Sequence, residues 1–265
     1  MKLTGGKTFF KRLRACLQEF PYKWRTFIQH HSTYYSLLDK KTRRRFERDI
    51  KILLSELNIK YECNGDGEKK PSLELRLLIA MGLATLLIGR PGWELPLPGE
   101  IVILSRDRIV RNSKSGKTEY AAMATKGTLF LTEKNLAHSF YRYSDGYNNI
   151  FHEIAHYFDM EDYKLDGTPS YRRFIKGIEK DLMECKILWK VILETEFEKV
   201  SRGELSIRSY AAQNQGEFLA CATELFFEDP TRLKNSSADL YRLLKKFYNF
   251  DPLELFVRNA GQEKS

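Results

Sequence analysis

The stretch Asn148 to Pro169, NNIFHEIAHYFDMEDYKLDGTP, carries two histidines four residues apart, with a glutamate directly after the first. On a helix, His152 and His156 stand one turn apart, so both imidazoles leave the same face. Two neutral imidazole nitrogens at that separation suit a tetrahedral Zn²⁺. Glu153 is one step round the helix, placed to take a proton from water that the metal acidifies, without filling a ligand position. This is the H-E-x-x-H pattern of metal-assisted hydrolysis. The plain alternative is two polar residues on an ordinary helix. A third protein ligand separates the two readings, because a two-histidine site takes one more and leaves the fourth position for water.

Acids available for that role are many: Asp159, Glu161, Asp162, Asp166, Glu184, Glu194, Glu196, Glu217 and Glu224. Those directly after His156 would have to fold back sharply from the same helix or its exit. Glu217 opens GEFLACATELFFEDP, an apolar helix with Phe218, Leu219, Ala222, Leu225 and Phe226 for a core face. A carboxylate at the head of a buried helix needs a counter-charge, which zinc would supply. The helix macrodipole would also favour an acid there, so spacing leaves both open. Asp159 and Glu224 are candidates to orient a ligating histidine, with a helix-end or surface acid the simpler reading for Asp159. Cys221, one turn after Glu217, reads as packing. His30, His31 and His138 have no partner at metal spacing.

The elements that must hold these residues follow from periodicity. Asn148 and Asn149 are plausible caps for the His152 helix, and Ile150, Ile154 and Phe158 recur along a face able to pack inward. Residues 8–60 read as amphipathic helices, broken near Pro21 and before Asp39. CNGDGEKKPS (Cys63 to Ser72) is a polar loop. LLIAMGLATLLIG, Leu77 to Gly89, is a 13-residue apolar run between Arg76 and Arg90. It falls short of the ~20 residues that cross a bilayer and reads as a buried helix. RPGWELPLPGE marks the strongest internal boundary, dividing an N-terminal helical region, 1–95, from a catalytic region, 96–265, the two packed as one unit. EIVILS (Glu100 to Ser105) and GTLFLT (Gly127 to Thr132) are short strands separated by the polar loop RNSKSGKT. From Tyr147 the pattern is helical almost to the end. The expected fold is α+β, mainly helical, with a small central sheet.

The 42% hydrophobic and 30% charged fractions are those of a globular chain rather than a disordered or membranous one. Four scattered cysteines (Cys16, Cys63, Cys185, Cys221) with no CxxC pair argue against a disulfide framework and a thiolate zinc cluster. The N-terminus is basic where a signal peptide would turn apolar, so the cytoplasm is the expected location. The net charge of +9 sits almost wholly in residues 1–51, with 14 Lys/Arg against 4 Asp/Glu. Its densest patch is DKKTRRRFERDIK, Asp39 to Lys51. A solvated helix face opposite Phe46, Ile50, Leu53, Leu54 and Leu57 accounts for it, since no base-reading motif accompanies the charge. A dock for an acidic surface is the alternative; neither membrane nor direct nucleic-acid binding is expected.

NNIFHEIAHYFDMEDYKLDGTPS together with YAAQNQGEFLACATELFFEDP resembles the Mlc titration factor A family of zinc-dependent peptidases. LYRLLKKFYNFDPL (Leu240 to Leu253) is similar to that family's C-terminal helix, and the apolar helix followed by GEIVILS keeps the family's order. The likeness is loose before residue 95 and close from about 147. It implies a zincin-like, gluzincin-type fold with one Zn²⁺ per chain, held by His152, His156 and Glu217. It also implies Glu153 as catalytic base and Tyr210, seven residues before Glu217, beside the metal. The same features are similar to the catalytic domain of anthrax lethal factor. Beside the metal of this chain, Tyr210 would donate its phenol to the oxyanion; otherwise it is a half-buried aromatic at a loop-to-helix junction.

Two departures stand out: FLTEK (Phe130 to Lys134) where the family has Leu-Ser-Trp, and Tyr157 where it often has Gln. Extended peptides often add to a sheet edge, and GTLFLT is the edge expected to receive one. The implied activity is hydrolysis of a peptide or protein substrate, with aminopeptidase and endopeptidase both open. The alternative is a binding protein that, like the family's founding member, sequesters a glucose-responsive transcriptional repressor, with the basic first 51 residues in the interface. A dedicated endopeptidase with one protein target is a third reading.

Overall fold

The computed structural model describes residues 6–62, 68–90, 95–105, 108–112, 116–120, 122–124, 127–141, 145–161, 166–169 and 179–262. The chain forms two compact units, residues 1–88 with 98–141 and residues 89–97 with 142–265. It is mainly helical with a small sheet, and among the described residues no helix is long and apolar enough to cross a membrane.

In the first unit, helices α1 (Gly6–Leu17), α2 (Tyr22–His31) and α3 (Lys40–Glu56) break where Pro21 and Asp39 stand. Pro21 lacks an amide hydrogen and suits the position before α2. The Asp39 carboxylate accepts from the amides of Lys41 (2.8 Å) and Thr42 (3.1 Å), satisfying two of the orphan donors of α3. That helix buries Phe46, Ile50, Leu53 and Leu54 and turns Lys40, Lys41, Arg44 and Arg48 outward. Helix α4 (Leu73–Leu86) starts at Ser72, whose hydroxyl accepts from the Leu75 amide. Every residue from 77 to 86 is buried, as a helix apolar on all sides requires.

The strands are β1 (Ile59–Glu62), β2 (Glu68–Lys69), β3 (Glu100–Leu104), β4 (Arg108–Asn112), β5 (Gly116–Tyr120), β6 (Ala122–Ala124) and β7 (Thr128–Thr132). The main sheet runs β2-β1-β3-β7-β6, with β1, β3 and β7 parallel and the two outer strands antiparallel. Ile101 to Leu104 are all buried, the unbroken apolar run of a parallel strand covered on both faces. Strands β4 and β5 pair separately and antiparallel. Helix α5 (Glu133–Tyr141) follows β7 and packs on α4.

Two expectations are corrected here. The stretch RNSKSGKT, read as a polar loop, supplies the end of β4 (Arg111 and Asn112) and the start of β5 (Gly116 to Thr118); its polar composition lacks the β-branched alternation that announces a strand. GTLFLT is not a free edge: Leu129 to Leu131 pair with β3 on one side and β6 on the other. A three-residue Ala-Met-Ala strand is too short to show a period of two, so its cover over β7 was invisible in the sequence.

The second unit contains α6 (Asn149–Met160), α7 (Glu179–Ser201), a 3₁₀ turn at Ser209–Ala212, α8 (Gln215–Glu228), α9 (Pro230–Ser236), α10 (Ala238–Tyr248) and α11 (Pro252–Gln262). Its core is aromatic: Phe158, Trp189, Phe226, Phe247 and Tyr248 are all fully buried. Phe158 and Trp189 meet Phe247 edge-on, with centroids 5.3 and 5.4 Å away. Helix α6 packs along α8. Their relative placement is set by the DGTP turn. Gly167 has φ +74°, and a Cβ there would stand 2.5 Å from the Gln215 carbonyl oxygen, so only glycine fits. Its amide donates to Asp159 on α6 (3.0 Å) and its carbonyl accepts from the Trp189 indole on α7 (3.0 Å). One turn thus clasps the end of α6 to the start of α8.

Candidate metal centre

Helix α6 begins at Asn148, whose side chain accepts from the amides of Ile150 (3.2 Å) and Phe151 (3.3 Å). The Asn148 amide donates to Glu224 (3.0 Å) and its side-chain nitrogen to Glu228 (2.9 Å), tying the head of α6 to the far half of α8. Ile150, Ile154 and Phe158 are buried, which directs His152 and His156 toward α8. At the other end of α8, Asn214 caps the helix by accepting from the Glu217 amide (2.9 Å). Glu217 therefore sits in a first turn of fixed geometry.

From these two helices three donor atoms converge. His152 Nε2 lies 3.0 Å from Glu217 Oε2 and 3.2 Å from His156 Nε2, and His156 Nε2 lies 3.4 Å from the same Glu217 oxygen. Bonds of about 2.0–2.2 Å in a tetrahedral zinc site place neighbouring donors roughly 3.3–3.6 Å apart, a few tenths of an ångström beyond the two shorter separations here. Two imidazole nitrogens and one carboxylate oxygen at these separations fit a divalent metal. The electrostatics agree. Burial disfavours the His152 cation, yet Cys221, Glu217 and Glu224 together raise its pKa well above the ordinary imidazole range. Burial likewise opposes the Glu217 charge, and its bonds to His152 and His156 outweigh that, holding it well below the usual carboxylate range. These are the surroundings of a point that attracts a cation.

Glu153 is buried beside this cluster, only 5% exposed. Desolvation pushes its carboxyl above the ordinary range, partly offset by His152 and His156. The Tyr210 ring lies 6.1 Å from the His152 ring. Burial, followed by the nearby Glu217 charge, pushes its phenol up to about 12. It keeps a way out to water, at 39% exposed.

The opposite edge of His152 is just as closely held. Nδ1 lies 3.2 Å from Glu224 Oε2, and Glu224 is completely buried. With Nδ1–H donated to that carboxylate, the Nε2 lone pair is left for the shared point. Arg208 donates to the same Glu224 oxygen and to Cys221 Sγ (3.0 Å). His152, Cys221 and Glu224 also offer donors within 4.8 Å of one another, but the Arg208 guanidinium already supplies the positive charge on that side.

The other candidates go elsewhere. Asp159 is fully buried rather than at the surface, and holds the Gly167 amide. Glu196 pairs with Lys199 (2.6 Å), Glu194 is 3.8 Å from Lys190, and Asp166 accepts from the Thr168 amide. Glu161 is half-buried at the end of α6. Asp162 and the side chain of Glu184 lie outside the described residues. His30, His31 and His138 enter no metal-type cluster among the described residues. Arg208 went unnoticed in the sequence, since an arginine in the polar segment SIRSY reads as a surface cation.

Comparison with known proteins matches the chain to a family. The family described as Glucose-regulated metallo-peptidase M90 matches residues 8–249. An uncharacterized protein of Synechocystis sp. is 27% identical over 248 residues, 88% of this chain and 86% of that protein. Mlc titration factor A of Pectobacterium atrosepticum is 34% identical over 110 residues, covering 41% of this chain and 40% of that protein. Mlc titration factor A of Escherichia coli O139:H28 is 28% identical over 161 residues, 60% of this chain and 56% of its own length. The chain thus spans about half the length of these Mlc titration factors. On the match across residues 8–249, the chain belongs to the Glucose-regulated metallo-peptidase M90 family.

Proposed function

We propose that the protein is a zinc-dependent peptidase with one ion per chain, held by His152, His156 and Glu217 in a zincin-like catalytic region. The observation that carries this reading is the convergence of those three donor atoms at 3.0–3.4 Å beside a buried Glu153. When bound, zinc supplies Lewis acidity, making water nucleophilic near neutral pH and polarising a carbonyl. Glu153 acts as general base: a carboxyl with a raised pKa takes a proton from the attacking water and returns it to the leaving amine. The Tyr210 phenol, protonated throughout the neutral range, donates a hydrogen bond to the carbonyl oxygen as it gains charge. The substrate is a peptide bond of a peptide or protein. The free thiols of Cys16 and Cys221 suit a reducing compartment, the cytoplasm.

The test pairs metal analysis with cleavage of a short-peptide library. Wild-type protein is expected to hold one zinc per chain and to cut, while Glu153→Gln keeps the zinc and loses turnover. Wild-type turnover in that variant would remove the mechanism.

The name Mlc titration factor A, carried by relatives, supports a second reading: capture of a transcriptional regulator as the main role. The basic outer face of α3 would then contact the partner. If so, Lys40→Glu with Arg44→Glu weakens capture of such a regulator and Glu153→Gln does not; the opposite pattern removes this reading.

A further inference from the structure

We infer that Arg208 is a positioning residue whose single guanidinium holds both the ligand His152 and the tyrosine Tyr210 in register. The inference rests on the site proposed above. Arg208 stands directly before the 3₁₀ turn that carries Tyr210. Its Nη2 donates to Glu224 Oε2 and lies 2.9 Å from His152 Nδ1, while its Nε donates to Cys221 Sγ at 3.0 Å. The fork thus spans one turn of α8, from Cys221 to Glu224, and meets the back of the histidine. The faces of the guanidinium are used as well, with its central carbon 4.7 Å from the Tyr147 ring centroid and 5.3 Å from that of Tyr210.

Two consequences follow. Glu224 is fully buried, with one oxygen on the Asn148 amide and the other shared by His152 Nδ1 and Arg208. A carboxylate out of water stays an effective acceptor only beside a compensating charge, and Arg208 provides it. Glu224 can then hold the Nδ1–H of His152, aiming Nε2 at the point shared with His156 and Glu217. Second, Tyr210 is partly exposed and lies on a single short turn, so its ring needs a platform to stay beside His152. Stacking on Arg208 supplies one. Lysine carries the charge but cannot reach sulfur and oxygen at once while presenting a flat face to two rings.

The test uses full-length, zinc-loaded protein. Zinc affinity is read by chelator competition, and kcat and KM on a cleaved peptide, for Arg208→Met and Arg208→Lys, each alone and combined with Glu224→Gln or Tyr210→Phe. Either Arg208 variant is expected to lose about 10–100-fold in zinc affinity. It should also lose kcat with KM little changed. The affinity loss should shrink below about threefold in the Glu224→Gln background, and the saturated-zinc kcat loss should shrink similarly with Tyr210→Phe. Should Arg208→Met fail to fold, Arg208→Lys, whose ammonium cannot bond Cys221 and Glu224 together, carries the same couplings. Undiminished losses in either background, or wild-type affinity in Arg208→Lys, overturn the inference. If the wild type cleaves no peptide, the peptidase reading fails alone, because the affinity arm still decides whether Arg208 positions His152.

Discussion

Along α3, Lys40, Lys41, Arg44, Arg45, Arg48 and Lys51 crowd like charges around a cavity of about 850 Å³. Around His152 a similar number of ionisable groups is gathered, several of them out of water. The first arrangement costs little, since Lys40, Lys41, Arg44 and Arg48 are exposed and screened. The acids beside them serve the fold: Asp39 caps the helix, and Glu47 turns inward to Arg25 and Tyr35. In the second arrangement His152, Glu153 and Glu224 are buried, and each sits against another charge or hydrogen-bonding group. Desolvating so many ionisable groups is expensive unless they compensate one another. Charge density alone therefore marks nothing; burial of charges that converge on one point marks a site.

The comparison breaks most readily at Glu153. Replacing it with Gln removes a buried carboxyl, the proposed general base, without touching the three donors. Turnover is expected to fall about 10²–10⁴-fold with metal content unchanged. Next in size is Glu224→Ala, which strands Arg208 without its carboxylate. Breaking a buried pair costs about 3–5 kcal/mol, and the lower end is expected because the Arg208 side chain is 23% exposed. Urea denaturation of the variant measures it. A loss near zero would mean that the two regions treat charge alike.

The same contrast explains how far the sequence could be read. His152, Glu153 and His156 were legible because a helix turns their spacing into geometry, and Asn148 announced the start of that helix. The apolar run in α4 and the strand β3 were legible because length and composition suffice for a fully buried element. Glu217 was one acid among nine, since a group brought in by folding from 61 residues away has no local signature; only family resemblance singled it out. The DGTP turn was visible as a turn, but its need for glycine arises from the Gln215 carbonyl across the gap. Arg208 was illegible because the two groups it donates to, Cys221 and Glu224, and the His152 edge it lies against all stand at a distance along the chain.

Tyr210→Phe sharpens the comparison at the margin of the site, where the group is half in water. Removing a fully enclosed oxyanion donor costs about 10²–10³-fold. A partly exposed phenol is expected to cost less, roughly 10–100-fold in kcat by the same principle, because water can replace part of its hydrogen bond. Zinc content should be unchanged; loss of the metal would instead make the tyrosine structural.

The smallest effect is expected on α3. Arg44→Glu alters an exposed cation that caps nothing and sits on the solvated side of the helix. Surface changes of this kind usually stay within about 0.5 kcal/mol. Relief of like-charge repulsion from Lys40, Lys41 and Arg48 can even make the substitution slightly stabilising. That gain should shrink as salt rises from 50 to 500 mM (on the order of a Debye length falling below the spacing of the charges). Peptide turnover is expected to stay within about twofold, the margin left by a weak and screened interaction. Thermal melts at the two salt levels, alongside peptide cleavage, measure both. A tenfold loss of turnover from this one exposed residue would show that the basic face takes part in catalysis, and the distinction between solvated and buried charge would no longer locate the working residues.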